Sequence, residues 1–577
     1  MRTPTASKSG IRARAITGTH TVLIALDATA KARKGLLGFA LRREDPEEDE
    51  EYWLRGSKVF PSVVPNPGDR AAYSTLDHPI QSFLWGDYSA KPGRKYHYTV
   101  RPLYGTPKNL VAGPDVELDI ETEPENDPGG HGVWFNRGAI ASRAYADKFK
   151  NAAPPNPEDP TDEHTKWLSR GLLEACLKFI DETKKGQRLR TAAYEFTYQP
   201  VLKALKRAIT RGVDVKIVVE SGKDTKKGVK VDTAATKANR KAIQTAKLPA
   251  TAILKRTRRS RIPHNKFIVR QTAGGKSVAV WTGSTNFTES GFLGQSNAGH
   301  RIDDEDIASF YSQYWDALAS DPEPDDAKLS CMTISPTPIG ATAKKSTTCV
   351  FSPRSDTRML KWYADRIDGA SNTVMFTAAF SVDDSIGGSL SKDREFLRFV
   401  LMEKPPTQKV AKLFKEDRDI VVAYGNVLGQ TYLPNKKGEL TLRRDIPDFK
   451  LDEWFLKEEH FRKSGHVFFV HLKILLVDPM TTDPLVCLGS ANFSKPSLRD
   501  NDENMLLVRG NTRVADIYLT EFDRLLRHFY FRDMAAELHG KGNEAKSKFL
   551  EEEGKWVGEH FSKSGMKSRR RKMFFPA

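Results

Sequence analysis

The sequence predicts an α/β protein with two similar lobes, preceded by an all-β domain. Three observations carry this prediction: strand-like segments fill residues 20–125, helical and strand-like segments alternate from residue 164 onwards, and one polar motif occurs twice. A chain of 577 residues is longer than one hydrophobic core usually serves, so several domain-sized units are expected.

The N-terminal region is expected to hold a basic tail, residues 1–19, and a β domain, residues 20–125. Short strand-like segments such as 21–26 and 96–100 are separated by turn residues. About six or seven strands in roughly a hundred residues fit an immunoglobulin-like or fibronectin-like sandwich. The domain shows no pattern of catalytic residues, so we expect it to engage a protein partner that the sequence does not identify.

The rest of the chain is predicted to be an internal repeat, because the same order of helices and strands occurs in both halves. A stretch rich in Pro, Gly and acidic residues, 123–130, ends the β domain. A linker with a short helix is predicted at residues 126–163 and is followed by a first lobe at 164–320. A second linker at 321–346 leads to a second lobe at 347–540, and a basic C-terminal tail occupies 541–577.

The repeated motif is His-x-Lys on an apolar segment, followed by Gly-Ser-x-Asn-Phe. The two copies contain His264, Lys266, Ser284 and Asn286, and His471, Lys473, Ser490 and Asn492. We expect each His-x-Lys pair to lie on a strand, where residues two apart point to the same face. The glycine of each copy is expected at a turn, where it allows a close backbone approach.

These motifs resemble the two HKD motifs of the phospholipase D superfamily, which read His-x-Lys, four residues, Asp, and then Gly-Ser-x-Asn. The second copy fits fully, with Asp478 after His471, whereas the first has Gln271 at the matching position. The resemblance covers roughly residues 165–540. It implies two pseudo-symmetric α/β lobes with mixed sheets and one active site between them.

The resemblance also implies the chemistry. By this resemblance, His264 would form a phosphohistidine, and His471 would act first as general acid and then as general base. Lys266 and Lys473 would hold the non-bridging oxygens, and the motif residues Ser284, Asn286, Ser490 and Asn492 would donate hydrogen bonds to the same oxygens. We expect no metal and no other cofactor.

Family members carry a further acidic residue downstream of each histidine, which bonds the other ring nitrogen. Glu503 occupies this position in the second half, and Asn297 takes it in the first. Since a carboxylate favours an imidazolium and an amide does not, pairing within each half predicts that His471 is the more basic histidine. Asp478 and Gln271 are expected to act in strand–turn structure and not on substrate.

The net charge of +17 indicates an anionic partner. Before His264 a basic run predicts a substrate-approach surface made of Arg256, Arg258, Arg259 and Arg261, and a second run, 567–572, lies near the C-terminus. A phospholipid substrate is favoured, with peripheral contact to an acidic membrane. The alternatives are an endonuclease or other nucleic-acid phosphodiesterase, and a catalytically weak scaffold that binds phosphate.

Apolar runs in this sequence are too short to cross a bilayer, and no secretory signal pattern is found. The four cysteines are far apart and lack C-x-x-C spacing, which argues against a zinc site and a disulfide framework. The expected location is the cytoplasm, with peripheral association with a membrane.

Overall fold

The protein consists of an N-terminal pair of antiparallel sheets and two seven-stranded mixed sheets. The computed structural model describes residues 1–68, 71–127, 130–138, 145, 148–149, 152, 154–380, 382–404, 408–425, 432–434, 440–442, 469–540, 548–563 and 565–575. The predicted α/β fold with an N-terminal β region is confirmed.

The two N-terminal sheets share one hydrophobic core, to which Ile24, Phe39 and Tyr98 contribute. In spatial order, the first sheet contains Ala6–Lys8, Ile11–Thr17, Val22–Ala28 and Leu84–Asp87. The second contains Asn109–Ala112, Lys95–Thr106, Gly38–Asp45 and Glu50–Trp53, with Val116–Glu121 also paired to Lys95–Thr106. A separate ribbon pairs Arg55–Gly56 with Tyr73–Ser74.

The prediction of a basic tail over residues 1–19 is wrong. Residues Ile11–Thr17 form a strand that pairs with Val22–Ala28, and Ile11, Ala13 and Ala15 are buried. The arginines between these apolar residues point away from the core, so the segment is an amphipathic strand whose charge hid its period of two. The side chain of Arg2 bonds Asp516, which ties this end of the chain to the second lobe.

The described residues of the segment predicted as a basic C-terminal tail, 548–563 and 565–575, are also folded. Its helix Met566–Phe574 forms ion pairs through Arg569 with Asp419, Arg570 with Asp523 and Arg571 with Asp27. Carboxylates from distant parts of the chain therefore neutralise these cations. Contact of this segment with an acidic membrane or a nucleic acid stays a prediction.

The first lobe is built on a seven-stranded sheet. In spatial order its strands are His131–Phe135, Ala298–Ile302, Ser277–Gly283, Lys266–Gln271, Arg188–Ala193, Asp214–Glu220 and Ile253–Arg256. The last three are parallel to one another, and the other neighbours are antiparallel. The edge strand His131–Phe135 lies in the predicted linker, so this lobe begins before residue 164.

The second lobe repeats this sheet. Its strands, in the same spatial order, are Ser346–Ser352, Glu503–Arg509, Leu485–Gly489, Ile474–Val477, Thr373–Ala378, Leu397–Met402 and Ile420–Tyr424. The pattern of parallel and antiparallel neighbours is identical. The predicted internal repeat is therefore present at the level of topology.

Helices cover the sheets and connect their strands. Those of the first half are Glu163–Ser169, Leu172–Asp181, Gln199–Thr210, Ala234–Thr245, Glu289–Leu293, Glu305–Ala319 and Pro324–Ile334, with a 3₁₀ turn at Ala250–Ala252. Those of the second are Arg358–Asp368, Asp384–Ser391, Gln408–Glu416, Lys495–Arg499, Thr512–Gly540, Val557–His560 and Met566–Phe574. Two hairpins pair Lys223–Lys226 with Val229–Asp232 and Tyr432–Pro434 with Leu440–Leu442.

One core joins the lobes. Phe267 and Trp281 of the first sheet belong to the same buried cluster as Phe399 and Leu476 of the second. All four cysteines are buried and unpaired. Within the part of the chain that the structure describes, no helix has the length and apolar character to cross a membrane.

Candidate active site

The two histidines of the repeated motif face each other across the interface of the lobes. The ring centroids of His264 and His471 are 6.5 Å apart, with an angle of 77° between the ring planes. Each residue lies just before a central strand and not within it as predicted, because regular pairing begins at Lys266 in one lobe and Ile474 in the other. The histidines thus sit at the sheet edge where the parallel strands end.

The hydrogen-bond partners of the two rings are exchanged between the lobes. Nδ1 of His264 lies 2.9 Å from Oε2 of Glu503, and Nδ1 of His471 lies 2.8 Å from Oδ1 of Asn297. The predicted pairing within each half is therefore wrong. It fails because the loops that end at Asn297 and Glu503 cross the lobe interface.

Backbone hydrogen bonds fix this crossing in a pseudo-symmetric way. The N–H of Ser296 donates to the carbonyl of Phe469 at 2.8 Å, and the N–H of Asp502 donates to the carbonyl of Ile262 at 3.0 Å. Ser296, which precedes the acceptor Asn297, thus anchors the segment that leads to His471. Asp502, which precedes the acceptor Glu503, anchors the segment that leads to His264.

Glu503 is held as a buried carboxylate. Its Oε1 accepts hydrogen bonds from Ser497 Oγ at 2.8 Å and Asn501 Nδ2 at 3.0 Å. Burial opposes ionisation, but the hydrogen bond from His264 and the nearby ammonium of Lys266 outweigh it and keep the pKa of Glu503 below its ordinary value. Burial lowers the pKa of His264 to about 4 despite the carboxylate, so this ring is neutral at pH 7. Its Nδ1–H donates to Glu503, which leaves the lone pair on Nε2.

Asn297 offers His471 a neutral acceptor. The amide is oriented by its Nδ2, which donates to the carbonyl of Gly291 at 2.9 Å, while Ser284 Oγ donates to Oδ1 at 2.8 Å. Since Oδ1 can only accept, Nδ1 of His471 must carry a proton. A second proton on this ring, when present, is carried by Nε2.

The two lysines are buried beside the histidines. Lys266 Nζ donates to the carbonyl of His264 and Lys473 Nζ to the carbonyl of His471, both at 2.6 Å. Burial lowers the pKa of Lys266 to about 7, and burial together with Lys266 lowers that of Lys473 well below its ordinary value. Two desolvated cations side by side are costly, so the site favours an anion between them.

The motif asparagines and serines play different parts. Asn286 Nδ2 donates to Glu195 at 2.5 Å, and the Oδ1 atoms of Asn286 and Asn492 are buried without a hydrogen-bond partner among the described residues. The hydroxyls of Ser284 and Ser490 accept hydrogen bonds from the backbone N–H groups of Ala298 and Asn504. The serines therefore link neighbouring strands, in contrast to the expectation that they face substrate oxygens.

Glycine precedes each serine because the backbones approach closely there. A Cβ on Gly283 would lie 2.2 Å from the carbonyl oxygen of Ala298, and one on Gly489 would lie 2.2 Å from that of Asn504. Gly283 also has a φ of 138°. No side chain fits either position.

Two residues of the site were not predicted. The ring of Tyr194 lies edge-on to His264, with centroids 5.4 Å apart, and Glu195 bonds Asn286. Both follow the parallel strand Arg188–Ala193, whose end meets the start of the Lys266 strand. Their position after a parallel strand is the sequence signal that points to them.

Gln271 and Asp478 lie at the far ends of their strands, away from the histidines. Asp478 accepts hydrogen bonds from the backbone N–H groups of Asn372 and Thr373, at 2.7 and 3.0 Å. Gln271 Nε2 donates to Ser312 Oγ at 2.8 Å. Their predicted role in strand–turn structure agrees with these contacts.

The predicted arginine surface is largely neutralised. Arg256 is fully buried and bonds Asp502 at 2.9 Å, and Arg259 bonds the buried Glu220 at 2.6 Å. Arg258 lies 3.4 Å from Glu323. Arg256 and Arg259 are therefore structural cations, which corrects the prediction. Arg261 is exposed and has no acidic partner among the described residues.

One group of carboxylates could hold a cation, but it lies elsewhere. Oxygens of Asp393, Asp417 and Asp419 come within 4.8 Å of one another. The group stands at the start of the strand Ile420–Tyr424, at the sheet edge opposite to the histidines. Arg398 pairs with Asp417 and Arg569 with Asp419, so arginines already meet this charge.

Comparison with known proteins agrees with the geometry. Residues 176–319 and 440–526 match the family described as "Cardiolipin synthase, PLD-like domain", and both motifs fall within the matched segments. The predicted resemblance to the phospholipase D superfamily is therefore confirmed over these two segments, each of which contains one copy of the motif. No curated protein matches the chain.

Similar solved structures include phosphatidylserine synthase from Haemophilus influenzae Rd KW20, which is 11% identical and has a TM-score of 0.41 over 66% of this chain and 94% of that one. Nuc from Salmonella typhimurium, a phospholipase D family member, is 28% identical, with a TM-score of 0.20 over 26% of this chain and 86% of that one. A yeast tyrosyl-DNA phosphodiesterase 1 variant is 12% identical, with a TM-score of 0.29 over 59% and 86%.

Proposed function

We propose that the protein cleaves phosphodiesters through a covalent phosphohistidine on His264, with His471 as the proton donor. The observation that carries this proposal is the crossed pair of histidines. The rings face each other at 6.5 Å, and each Nδ1 bonds an acceptor from the opposite lobe. This arrangement assigns Nε2 of each ring to the chemistry.

In the first step the Nε2 lone pair of His264 attacks phosphorus. An N–P bond forms, the bond from phosphorus to the leaving oxygen breaks, and that oxygen takes the Nε2 proton of His471. In the second step neutral His471 removes a proton from water or an alcohol. The resulting oxygen attacks phosphorus, the N–P bond breaks, and His264 regains its lone pair.

The crossed partners support this division of roles by a different argument from the one that the sequence suggests. His264 gains positive charge as its N–P bond forms, and the buried carboxylate of Glu503 stabilises that charge. His471 must give up a proton, and an amide acceptor makes its imidazolium a stronger acid than a carboxylate would. The low pKa of His264 keeps the nucleophile unprotonated at neutral pH.

Lys266 and Lys473 would hold the non-bridging oxygens, with Asn286 and Asn492 donating to the same group. Binding of the substrate anion raises the depressed pKa of both lysines, so their charge becomes available when substrate is present. These side chains supply the positive charge that a metal ion provides in other phosphodiesterases. We accordingly propose that the reaction proceeds without a metal.

The proposal applies to the phosphodiester bond and includes hydrolysis and transfer to an alcohol. A phospholipid substrate is favoured by the sequence, but the C-terminal cations expected to contact a membrane are engaged in ion pairs. A polynucleotide is the second candidate, favoured by exposed lysines on the hairpin that pairs Lys223–Lys226 with Val229–Asp232. The alternative of a catalytically weak scaffold requires phosphate binding without turnover.

The test uses bis(p-nitrophenyl) phosphate, whose leaving group departs without a proton. His471→Asn is expected to keep a first turnover and to accumulate phosphoryl on His264, because the second step lacks its base. His264→Asn is expected to release no burst of p-nitrophenol. Activity of the unaltered protein should persist in EDTA.

Mass spectrometry of the quenched reaction locates the phosphoryl group. Its presence on His471 would reverse the assigned roles. Full activity of both variants would overturn the proposed function. Tight phosphate binding with no turnover in the unaltered protein would identify a scaffold.

A further inference from the structure

We propose that the hairpin formed by Lys223–Lys226 and Val229–Asp232 binds the phosphate backbone of a polynucleotide and guides it to the histidines. The inference rests on the proposed function and gives it a substrate class. It concerns the segment between the strand Asp214–Glu220 and the helix Ala234–Thr245, which no catalytic role requires.

The hairpin lies beside the segment that leads to His264. It starts directly after Glu220, whose buried carboxylate bonds Arg259 at 2.6 Å. Asp224 in the hairpin itself is 3.8 Å from the same guanidinium. Arg259 is close in sequence to His264. Its ion pair with Glu220 therefore fixes the base of the hairpin at the active-site edge of the sheet.

The hairpin carries a surplus of unneutralised positive charge. Lys223, Lys226, Lys227 and Lys230 are all exposed, and none of them has an acidic partner within 4.0 Å in the described parts of the chain. The two acidic residues of the hairpin are engaged, Asp232 with Arg240 and Asp224 near Arg259. In the C-terminal helix, by contrast, carboxylates meet the arginines.

Cations of the second lobe continue this surface. The backbone N–H of Arg261 donates to the carbonyl of Asp500 at 3.1 Å, which joins the approach segment to the end of the helix Lys495–Arg499. Lys495, Arg499 and Arg261 have no acidic partner among the described residues, and the helix follows Asn492 of the second motif. Positive side chains from both lobes therefore lie on two segments that meet at this contact.

The extent of this surface favours a polymer over a lipid headgroup. A four-residue strand is about 13 Å long, whereas a nucleic-acid strand carries one charge per about 3.4 Å. Several phosphates are needed to occupy such a surface, and a single headgroup brings one or two. The hairpin also has one highly exposed apolar residue, Val229, and no aromatic side chain for insertion into a membrane.

The test compares two variants that each lose four positive charges. In the hairpin variant, Lys223, Lys226, Lys227 and Lys230 are replaced by alanine. In the matched control, the exposed N-terminal residues Lys8, Lys31, Lys34 and Lys108 are replaced by alanine. Binding of a fluorescent single-stranded oligonucleotide is followed by polarisation over a range of salt concentrations, and its cleavage by gel.

We expect the hairpin variant to bind the oligonucleotide at least about tenfold more weakly at low salt, with a salt slope reduced by about 0.7 for each lost phosphate contact. The control variant should bind like the unaltered protein. Cleavage of bis(p-nitrophenyl) phosphate should be unchanged in both, because this small substrate does not reach the hairpin.

The outcomes separate the two proposals. Equal weakening in both variants, or cleavage of phosphatidylglycerol vesicles with no binding of the oligonucleotide, would overturn the role of the hairpin while leaving the phosphohistidine chemistry intact. Failure of the unaltered protein to cleave bis(p-nitrophenyl) phosphate would count against the proposed function, and oligonucleotide binding would still test the hairpin.

Discussion

The two lobes repeat one sheet, yet each gives the other a different hydrogen-bond acceptor. The second lobe provides the carboxylate of Glu503 to His264, and the first provides the amide of Asn297 to His471. A pseudo-symmetric fold thus supports two unequal roles, because the electrostatics of each histidine are set by the opposite repeat. Counting motifs within one repeat does not reveal this.

The residues that precede these acceptors differ in the same way. Asp502 is buried against the guanidinium of Arg256, whereas Ser296 uses its hydroxyl to bond the carbonyl of Phe469 at 3.0 Å. An ion pair therefore supports the segment before His264. The segment before His471 is held by Ser296 and by the carboxyl of Glu403, which accepts hydrogen bonds from the N–H groups of Phe469 and Val470. Substitutions at the acceptors, or at the residues that precede them, can therefore test this difference between the lobes.

The largest effect is expected from Glu503→Gln. It removes the negative charge that stabilises His264 as the N–P bond forms, and kcat should fall by about 10²- to 10⁴-fold, the range seen when a carboxylate that orients a catalytic imidazole is replaced by an amide. Turnover of bis(p-nitrophenyl) phosphate measures the loss. Asp478→Asn, which removes a carboxylate far from the histidines, is the control and should keep kcat. A loss under threefold for Glu503→Gln would show that the carboxylate serves folding alone.

The histidines and lysines that the sequence predicts for the site come together in the structure, but their pairing with Glu503 and Asn297 differs from the prediction. Each motif places its histidine and lysine together, because they are two residues apart at the start of one strand. Glu503 and Asn297 are separated from their true partners by a lobe interface. Spacing within one repeat says nothing about which side of the interface a loop occupies. The crossing became visible only with the contacts of Ser296 and Asp502.

The second prediction concerns stability. Asp502→Ala leaves the buried guanidinium of Arg256 with Asp321 and the carbonyl of Pro322 as its remaining partners, and the free energy of unfolding should fall by about 3 kcal/mol. Ser296→Ala removes two neutral hydrogen bonds, one to the carbonyl of Phe469 and one from the backbone N–H of His471, and should cost about 1 to 2 kcal/mol. Urea denaturation measures both values. Equal losses would show that the two crossings are energetically equivalent.

Charge was the least reliable guide to structure in this sequence. Arg256 and Arg571 stand in basic runs whose composition predicts exposed charge. In the structure, both side chains pair with acids that lie far away along the chain. In the hairpin, Lys226 and Lys227 belong to a similar run and have no acidic partner among the described residues. Local composition does not distinguish these cases, because the partners are brought together by tertiary folding.

The smallest effect on the rate is expected from Asn297→Asp. This variant tests most directly which histidine is the general acid and which is the nucleophile. A carboxylate at Nδ1 stabilises the imidazolium of His471, so this ring holds its second proton to a higher pH. A general acid must be protonated, so activity is lost as pH rises through its pKa. With a phosphodiester whose leaving oxygen needs a proton, the alkaline limb of the pH profile of kcat/KM, which reports the first step, should therefore move to higher pH, while the plateau falls several-fold because His471 becomes a weaker acid. Ser284→Ala, which removes the other hydrogen bond to Oδ1 of residue 297 without adding charge, should leave the limb in place. Movement of the acid limb of kcat/KM would instead identify His471 as the group that must be unprotonated in the first step, and hence as the nucleophile.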